Sequence, residues 1–399
     1  MKVAIVCSGG AERLDGGGIF LRQALESLAG NEVRVIRFLI GSQGSPRCTK
    51  ISDVVHFDVP VRGPVRGLGR LRKMSRIAAD WLEWGIVRPV ELRKSVRDIA
   101  GFLTEFAPDV VLCIMNSMEP ILIMQSLSKV LGIPIVTMEW DPPASIAHVM
   151  NLPRFQVKKV VHAYEDLVRI ARGIAVTSEG MAVTYKSRFG RDSVILRQYV
   201  ETEGLRTNRV NKNERKGWLL YFAGNAYAKI EFDTFLAALD LCGWTIHGLP
   251  VTLRLLSNRA EVRTSGPCRI EFLGWQPHDR ALELAAECDL GYVGYWFDPA
   301  RSEEAKNCFP SKMVSYMGVG LPPFFHGPAD SSPAVFLQSY EMGWICSKSS
   351  AQGVLEDLST VLADHHRISR WREECLGIAK SEFSSKVFAN RLSELLRGI

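Results

Sequence analysis

The chain has 399 residues, 47% of them hydrophobic and 23% charged, with a formal net charge of +6. At about 150 residues per domain that is two domains or one large one, and the composition is globular rather than disordered or repetitive. Nine cysteines without a C-x-x-C pair, no leader ahead of the strand-like Lys2–Cys7 and no run of 18 apolar residues argue against disulfide-scaffold, secreted and membrane-spanning classes.

Short apolar runs alternate with longer amphipathic stretches from the first residue. Strands are expected over Val3–Cys7, Glu32–Phe38, Asp53–Phe57, Val110–Ile114, Pro134–Met138, Gly173–Thr177 and Val194–Leu196, with helices over Ile19–Ala29, Pro120–Leu131 and Val157–Arg172. Continuous apolar strands separated by helices predict a parallel sheet covered on both faces, a Rossmann-like α/β unit. The polar stretch Glu201–Gly217 then interrupts the pattern. It predicts a first domain over 1–200 and a linker over 201–216.

The alternation restarts with strand Trp218–Ala223, helix Glu231–Leu241, strands Val251–Leu256 and Arg269–Leu273, helix Asp279–Glu287 and strand Asp289–Val293. A further strand begins at Leu321–Phe325, another is expected over Gly343–Cys346, and two or three helices close the chain between Gln352 and Leu396. This second α/β domain spans 217–380. It leaves a terminal helix over 381–399 able to pack back on the first domain. A ligand crevice is expected between the domains, outside the carboxyl ends of the strands.

Charge is uneven. Ten basic residues between Val61 and Ala100, among them Arg62, Arg70, Lys73, Arg88 and Arg97, face only Asp80, Glu83, Glu91 and Asp98. A solvated helical face is one reading. Attraction to anionic lipid, helped by Trp81 and Trp84, is the other. No nucleic-acid-binding motif accompanies the charge.

Two segments carry chemistry. Gly9, Gly10, Gly16, Gly17 and Gly18 lie between the first strand and a helix expected to start near Ile19, where backbone amides favour an anionic group. They do not form a dinucleotide fingerprint, because Leu21 stands where the third glycine belongs. The second segment is Asn307–Pro322. Pro310 suits the first position of a helix, and the amides of Ser311 and Lys312, the Ser311 hydroxyl and the Lys312 charge together suit a diphosphate.

FPSKMVSYMGVGLP resembles the donor-site segment of GT-B glycosyltransferases, especially the family-4 retaining group, whose pattern is P-x-K-x-x-E-Y-x-x-x-G-x-P. GGGIFLRQALESLAGNEVRVI, IAVTSE, LYFAGNAYAK and IEFLGWQPHDRALELAAECDLGYV resemble other parts of the family in the same order. The resemblance implies two Rossmann-like domains, the second holding a nucleotide-sugar donor and the first an acceptor. It assigns phosphate binding to Gly224 and Lys229, with Asn225 where many members have Arg, and diphosphate binding to Pro310, Ser311 and Lys312. The segment Phe272–Trp275 would lie near the base, and Gly17 and Gly18 of the first loop, with Asn225, Asn307 and Ser315, are expected to contact the donor as well.

This sequence departs from the family at its Glu-x7-Glu pair, where Asn307 and Ser315 stand, with Glu303 and Glu304 close by. Asp141, in VTMEWDPP, is the candidate acceptor base or sugar contact, or else a residue capping its own turn. Lys312, Lys229 and Asp141 are thus the expected catalytic groups. No D-x-D or His spacing suggests a metal, so no metal or cofactor is expected. The expected activity is a metal-independent, retaining hexosyltransferase in cell-surface polysaccharide or glycolipid synthesis. Its partners would be a nucleotide sugar and a glycan or lipid-linked acceptor, without nucleic acid, at the cytoplasmic face of a membrane contacted through 61–100. A degenerate relative that binds without catalysis is the alternative.

Overall fold

The computed structural model describes residues 1–11, 16–42, 45–51, 54–61, 88–149, 152–201, 217–257, 262, 264 and 268–398. Most of the basic segment (62–87) and nearly all of the expected linker (202–216) lie outside the described residues. The chain forms two compact units. One comprises Met1–Thr177, Met181–Leu196 and Ala389–Ile399, the other Ser178–Gly180 and Arg197–Phe388. Residues 197–200 therefore count with the second unit, and only the last part of the expected terminal segment counts with the first.

The first unit is built on β1 (Lys2–Ser8), β2 (Glu32–Ile40), β3 (Arg47–Ile51), β4 (Val54–Val61), β5 (Val110–Ile114), β6 (Ile135–Glu139), β7 (Gly173–Val176) and β8 (Val194–Ile195). They form one sheet in the order β3-β4-β2-β1-β5-β6-β7-β8. Every pairing is parallel except β3 with β4. VVLCI in β5 and IVTME in β6 are buried at every position, as strands covered on both faces must be. The covering helices are α1 (Gly16–Ser27), α2 (Arg88–Phe106), α3 (Met118–Leu131), α4 (Pro143–Val149), α5 (Arg154–Ile170) and α6 (Glu179–Phe189). On α5 the buried residues Gln156, Val160, Ala163, Tyr164, Leu167 and Val168 recur every three to four positions, the stripe a helix lays on a sheet.

Two features differ from the sequence reading. β3 is an edge strand with mostly exposed residues and no apolar alternation, so only its pairing with β4 reveals it. α1 begins at Gly16 rather than near Ile19, which places Gly17 and Gly18 in its first turn. The basic residues from Arg88 onward belong to α2, whose apolar face packs Ile99, Phe102, Leu103 and Phe106 into the core. Arg37 and Asp58 form a buried ion pair across β2 and β4, and Thr49 Oγ1 of β3 donates to Asp58 at 3.0 Å. Burial pushes the Asp58 carboxyl up, but the Arg37 and Thr49 hydrogen bonds outweigh it and hold the carboxyl below its usual value.

The second unit carries β9 (Trp218–Ala223), β10 (Thr245–Ile246), β11 (Leu249–Leu256), β12 (Ile270–Phe272), β13 (Leu290–Gly294), β14 (Pro323–His326) and β15 (Trp344–Cys346). The order is β10-β11-β9-β13-β14-β15, with β12 beside β11. Its helices are α7 (Lys229–Leu241), α8 (His278–Ala286), α9 (Ser302–Asn307), α10 (Ser311–Gly318), α11 (Ser332–Ser339), α12 (Ala351–Leu362), α13 (His365–Glu382) and α14 (Ser385–Arg397), the last continuing into the first unit. Phe222, Phe232, Phe235, Tyr292 and Phe324 form an aromatic cluster at its centre.

One core residue of the first unit is electrostatically out of place. Glu139, the last residue of β6, is fully buried, and among the described residues neither carboxylate oxygen has a well-formed hydrogen bond, Thr137 offering only a weak opposing pull. Burial pushes its carboxyl up to about 8. Between its unfolded value near 4.5 and that figure the folded chain keeps a proton the unfolded chain has released, so stability falls as pH rises through the interval. Each pH unit of that gap is about 1.4 kcal/mol. Glu139→Gln, which mimics the protonated side chain, should match the parent's melting temperature near pH 4.5. It should exceed it increasingly toward pH 8, as read in a melting series across that range.

Candidate functional site

In the second unit the carboxyl ends of β9 and β13 and the start of α10 converge. β9 hands the chain to Gly224, whose φ of +88° is one that side-chain-bearing residues rarely adopt. A Cβ there would meet nothing within 4 Å, so the backbone is open to a ligand. Asn225 and Tyr227 follow, both exposed. Lys229 opens α7 with its Nζ 3.0 Å from each Asp233 carboxylate oxygen, so its charge is already partnered in this state.

Pro310 stands one residue earlier than expected. It is the N-cap, with extended backbone, and Ser311 is the first helical residue. The shift leaves the start of α10 uncapped by any side chain. The Met313 amide donates to Pro310 O at 2.9 Å, whereas those of Ser311 and Lys312 have no acceptor among the described residues. Ser311, Lys312 and Ser315 share the less buried face, while Met313, Val314, Tyr316 and Met317 face the core. Two open amides at the positive end of a helix dipole could receive an anion.

Lys312 sharpens it. The residue is half-buried, its Nζ lies 4.4 Å from the centre of the Phe222 ring and 3.3 Å from Asn225 O, and no carboxylate pairs with it among the described residues. Burial lowers its ammonium to about 7. An oligoanion placed here would supply the missing counter-charge and restore the proton.

The contact that positions α10 is the packing of Tyr316 on β13. A Cβ at Gly291 would lie 2.4 Å from the Tyr316 ring, so only glycine admits it. The Tyr316 hydroxyl accepts the Ala223 amide at 3.1 Å, immediately before Gly224. One side chain thus ties together β9, β13 and the helix that bears Lys312.

The remaining expected residues fall in different settings. Asn307 ends α9, buried, with its Nδ2 donating to Glu303 O at 2.8 Å and its own carbonyl accepting from Ser178 Oγ at 2.6 Å. Ser315 is half-buried on α10. Glu304 is ion-paired with Arg301, and Glu303 is exposed. Phe272 and Trp275 are 60% and 50% exposed at the end of β12, where an aromatic face is available to a ring ligand. In the first unit Asp141 is exposed two residues after β6, ahead of two buried prolines, and Tyr164 Oη donates to its carbonyl at 3.3 Å. Gly17 and Gly18 belong to the same unit, in the first turn of α1.

Sequence reasoning missed the struts between the loops. Trp296 Nε1 donates to Tyr227 O at 3.1 Å, and the Phe297 amide donates to Glu231 at 2.9 Å. Glu231 is buried on a face of α7 otherwise lined by Phe232 and Phe235, and a charge among aromatics was the available signal. Arg197 is ion-paired with Glu179 and lies 4.1 Å from the Phe309 ring centre, bracing the segment that leads into α10. Among the described residues no group of three or more His, Cys, Asp or Glu could hold a metal ion, and no helix is long and apolar enough to cross a membrane.

No family model and no curated protein matches the chain. Solved structures do. A sucrose-phosphate synthase from Thermosynechococcus elongatus is similar at a TM-score of 0.70 and 12% identity, over 99% of this chain and 98% of that one. A trehalose-6-phosphate protein from E. coli, bound with UDP-2-fluoro glucose, gives 0.68 and 10%, over 100% and 99%. Anabaena HepE in complex with UDP and glucose gives 0.63 and 13%, over 99% and 100%. The fold is that of these chains: GT-B, with two Rossmann-like units. Nothing in the comparisons singles out family 4.

Two outcomes follow from the geometry. A nucleoside diphosphate that binds at Lys312 should take up a proton at pH 7.5–8, seen as a buffer-dependent calorimetric enthalpy that disappears in Lys312→Ala. Gly291→Ala should cost roughly 1–3 kcal/mol of stability in denaturant titration, the usual range for overpacking, and should weaken nucleotide binding by displacing α10.

Proposed function

We propose that the chain is a glycosyltransferase that moves a sugar from a nucleoside-diphosphate donor to a glycan or lipid-linked acceptor. The observation that carries the reading is Lys312, a half-buried cation without a carboxylate partner among the described residues, beside two open amides at the start of α10. The structural neighbours solved with UDP or UDP-glucose support the nucleotide assignment.

In the reaction the bond between the anomeric carbon and the diphosphate oxygen breaks, and the acceptor oxygen bonds to that carbon. In the retaining reading the acceptor proton ends on the departing phosphate oxygen. Negative charge grows on the diphosphate in the transition state. Lys312, the amides of Ser311 and Lys312 and the open Gly224 turn are preorganised to receive it, and this charge stabilisation requires no metal. Lys229 would contribute by exchanging Asp233 for phosphate. Phe272 and Trp275 offer a surface to the base. Asp141 is assigned to the acceptor hydroxyl, which it would orient in the retaining reading; only in an inverting reaction would it take the proton.

The acceptor side is read from charge. The exposed Arg93, Lys94 and Arg97 of α2 extend the basic segment, and suit an enzyme at the cytoplasmic face of an anionic membrane that builds polysaccharide or glycolipid. A second reading, nucleotide binding without transfer, is favoured by Asn307. A neutral side chain turned back onto Glu303 O stands where the family has a carboxylate.

A thermal-shift panel of UDP, GDP, ADP, dTDP and CDP against their monophosphates tests donor binding. A ligand at 100 times its Kd stabilises by about 2.7 kcal/mol. One diphosphate should stabilise the parent and lose its effect in Lys312→Ala, and the corresponding nucleotide sugar should then be consumed with an acceptor present. Stabilisation without turnover favours the second reading, and no shift with any nucleotide overturns both.

A further inference from the structure

An exposed aromatic side chain stands beside the cation of the candidate site. The Tyr227 ring centre lies 5.8 Å from Lys312 Nζ, which the buried Phe222 ring approaches to 4.4 Å. Lys312 thus meets two rings, one that belongs to the core and one that is 66% exposed. A single exposed aromatic residue is ordinary; what distinguishes Tyr227 is the cation beneath it and the fixing of its backbone. Ala228 is buried, Ala226 packs on the core, and the Tyr227 carbonyl accepts the Trp296 indole N–H at 3.1 Å. Trp296 is braced in turn, with the Arg301 guanidinium 5.0 Å from its ring centre and Arg301 ion-paired to Glu304.

The order of the strands gives the direction in which a donor would run. β12, β11, β9 and β13 pair in parallel, so their carboxyl ends share one edge in that order. At the usual strand spacing β12 lies roughly 10 Å to one side of β9, and β13 about 5 Å to the other. Phe272 and Trp275, the surface offered to the base, stand at the end of β12. The Gly224 turn, offered to the diphosphate, stands at the end of β9. Base, ribose, diphosphate and sugar are joined in that sequence. With the base at β12 and the diphosphate at β9, the sugar falls on the β13 side. Tyr227 is tied to that side by Trp296, two residues past the end of β13.

The chemistry of the side chain suits a sugar better than a phosphate. A pyranose presents a face of C–H groups beside its hydroxyls. An aromatic ring receives such a face by apolar contact and through the negative potential of its own face, whereas a diphosphate offers neither apolar surface nor C–H groups.

We infer that the Tyr227 ring is the platform on which the sugar of the donor rests, a specificity-determining contact separate from the groups that hold the diphosphate. The inference deepens the donor half of the proposed function and rests on it.

Calorimetry on the parent, Tyr227→Ala and Tyr227→Phe tests it. The ligands are UDP-glucose, UDP-N-acetylglucosamine, GDP-mannose, ADP-glucose, dTDP-glucose and CDP-glucose, each paired with its free diphosphate. Tyr227→Ala should weaken at least one nucleotide sugar about tenfold, the scale of one apolar ring contact, while its free diphosphate changes by less than about threefold. Tyr227→Phe, which keeps the ring, should bind that nucleotide sugar like the parent. The inference alone fails if Tyr227→Ala weakens a nucleotide sugar and its diphosphate equally, since Tyr227 then serves the phosphate turn. It also fails if Tyr227→Ala weakens no nucleotide sugar that the parent binds, or if Tyr227→Phe behaves like Tyr227→Ala. A parent that binds none of the ligands overturns the donor reading and this inference with it.

Discussion

The second unit depends on one contact, the seating of the Tyr316 ring against Gly291. It brings α10 to within a side chain of the central strand, and the same hydroxyl holds the amide of Ala223 at the end of β9. Three elements are fixed relative to one another at a single side chain. Each of them carries a part of the site at its end: the Gly224 turn, the loop containing Trp296, and the uncapped start of α10. The hydrogen bonds of Trp296 to Tyr227 and of Phe297 to Glu231 repeat this tie at the rim. Preorganisation here is a property of the packed core, since the groups proposed to meet the diphosphate sit on rigid strand ends and a helix.

That rigidity sustains the electrostatic imbalance. A cation held over an aromatic ring without a carboxylate partner is costly, and Lys312 responds by giving up its proton more readily. Lys229, 42% exposed and bridged to Asp233, carries no such cost. Two lysines that look equivalent in the sequence therefore differ in kind. One is satisfied by its own helix, and the other has no carboxylate partner among the described residues. Glu139 in the first unit is the mirror case, a carboxyl without an ion-pair partner among the described residues whose burial favours the protonated form, but it lies inside the core.

Much of the fold was legible because buried parallel strands write their boundaries in apolar runs: Val110–Ile114 and Trp218–Ala223 coincide with the expected limits. The edge strand Arg47–Ile51 was not, since RCTKI has no pattern and exists through its partner β4. Helix starts slipped for a related reason. Three glycines read as a loop although the first turn of α1 absorbs them, and Pro310 reads equally as cap or first helical residue. Of the site, the Gly224 turn and the Lys312 helix were readable as motifs along the chain. Glu231, Trp296 and Arg197 were not, because their partners lie 66, 69 and more than 100 positions away.

Residues 1–177 and 389–398 belong to the same unit. Leu395 and Leu396 are buried there, and Leu395 Cδ1 would lie 3.0 Å from a Cβ at Gly173 of β7. During synthesis the first unit must therefore wait, its β7 flank uncovered, while residues 197–388 emerge and fold. At roughly 5–20 residues per second that delay is on the order of 10–40 seconds. The last eleven residues act as a closing piece delivered late. A nascent chain stalled before them would carry a finished second unit and an unfinished first, with apolar surface exposed for chaperones to find.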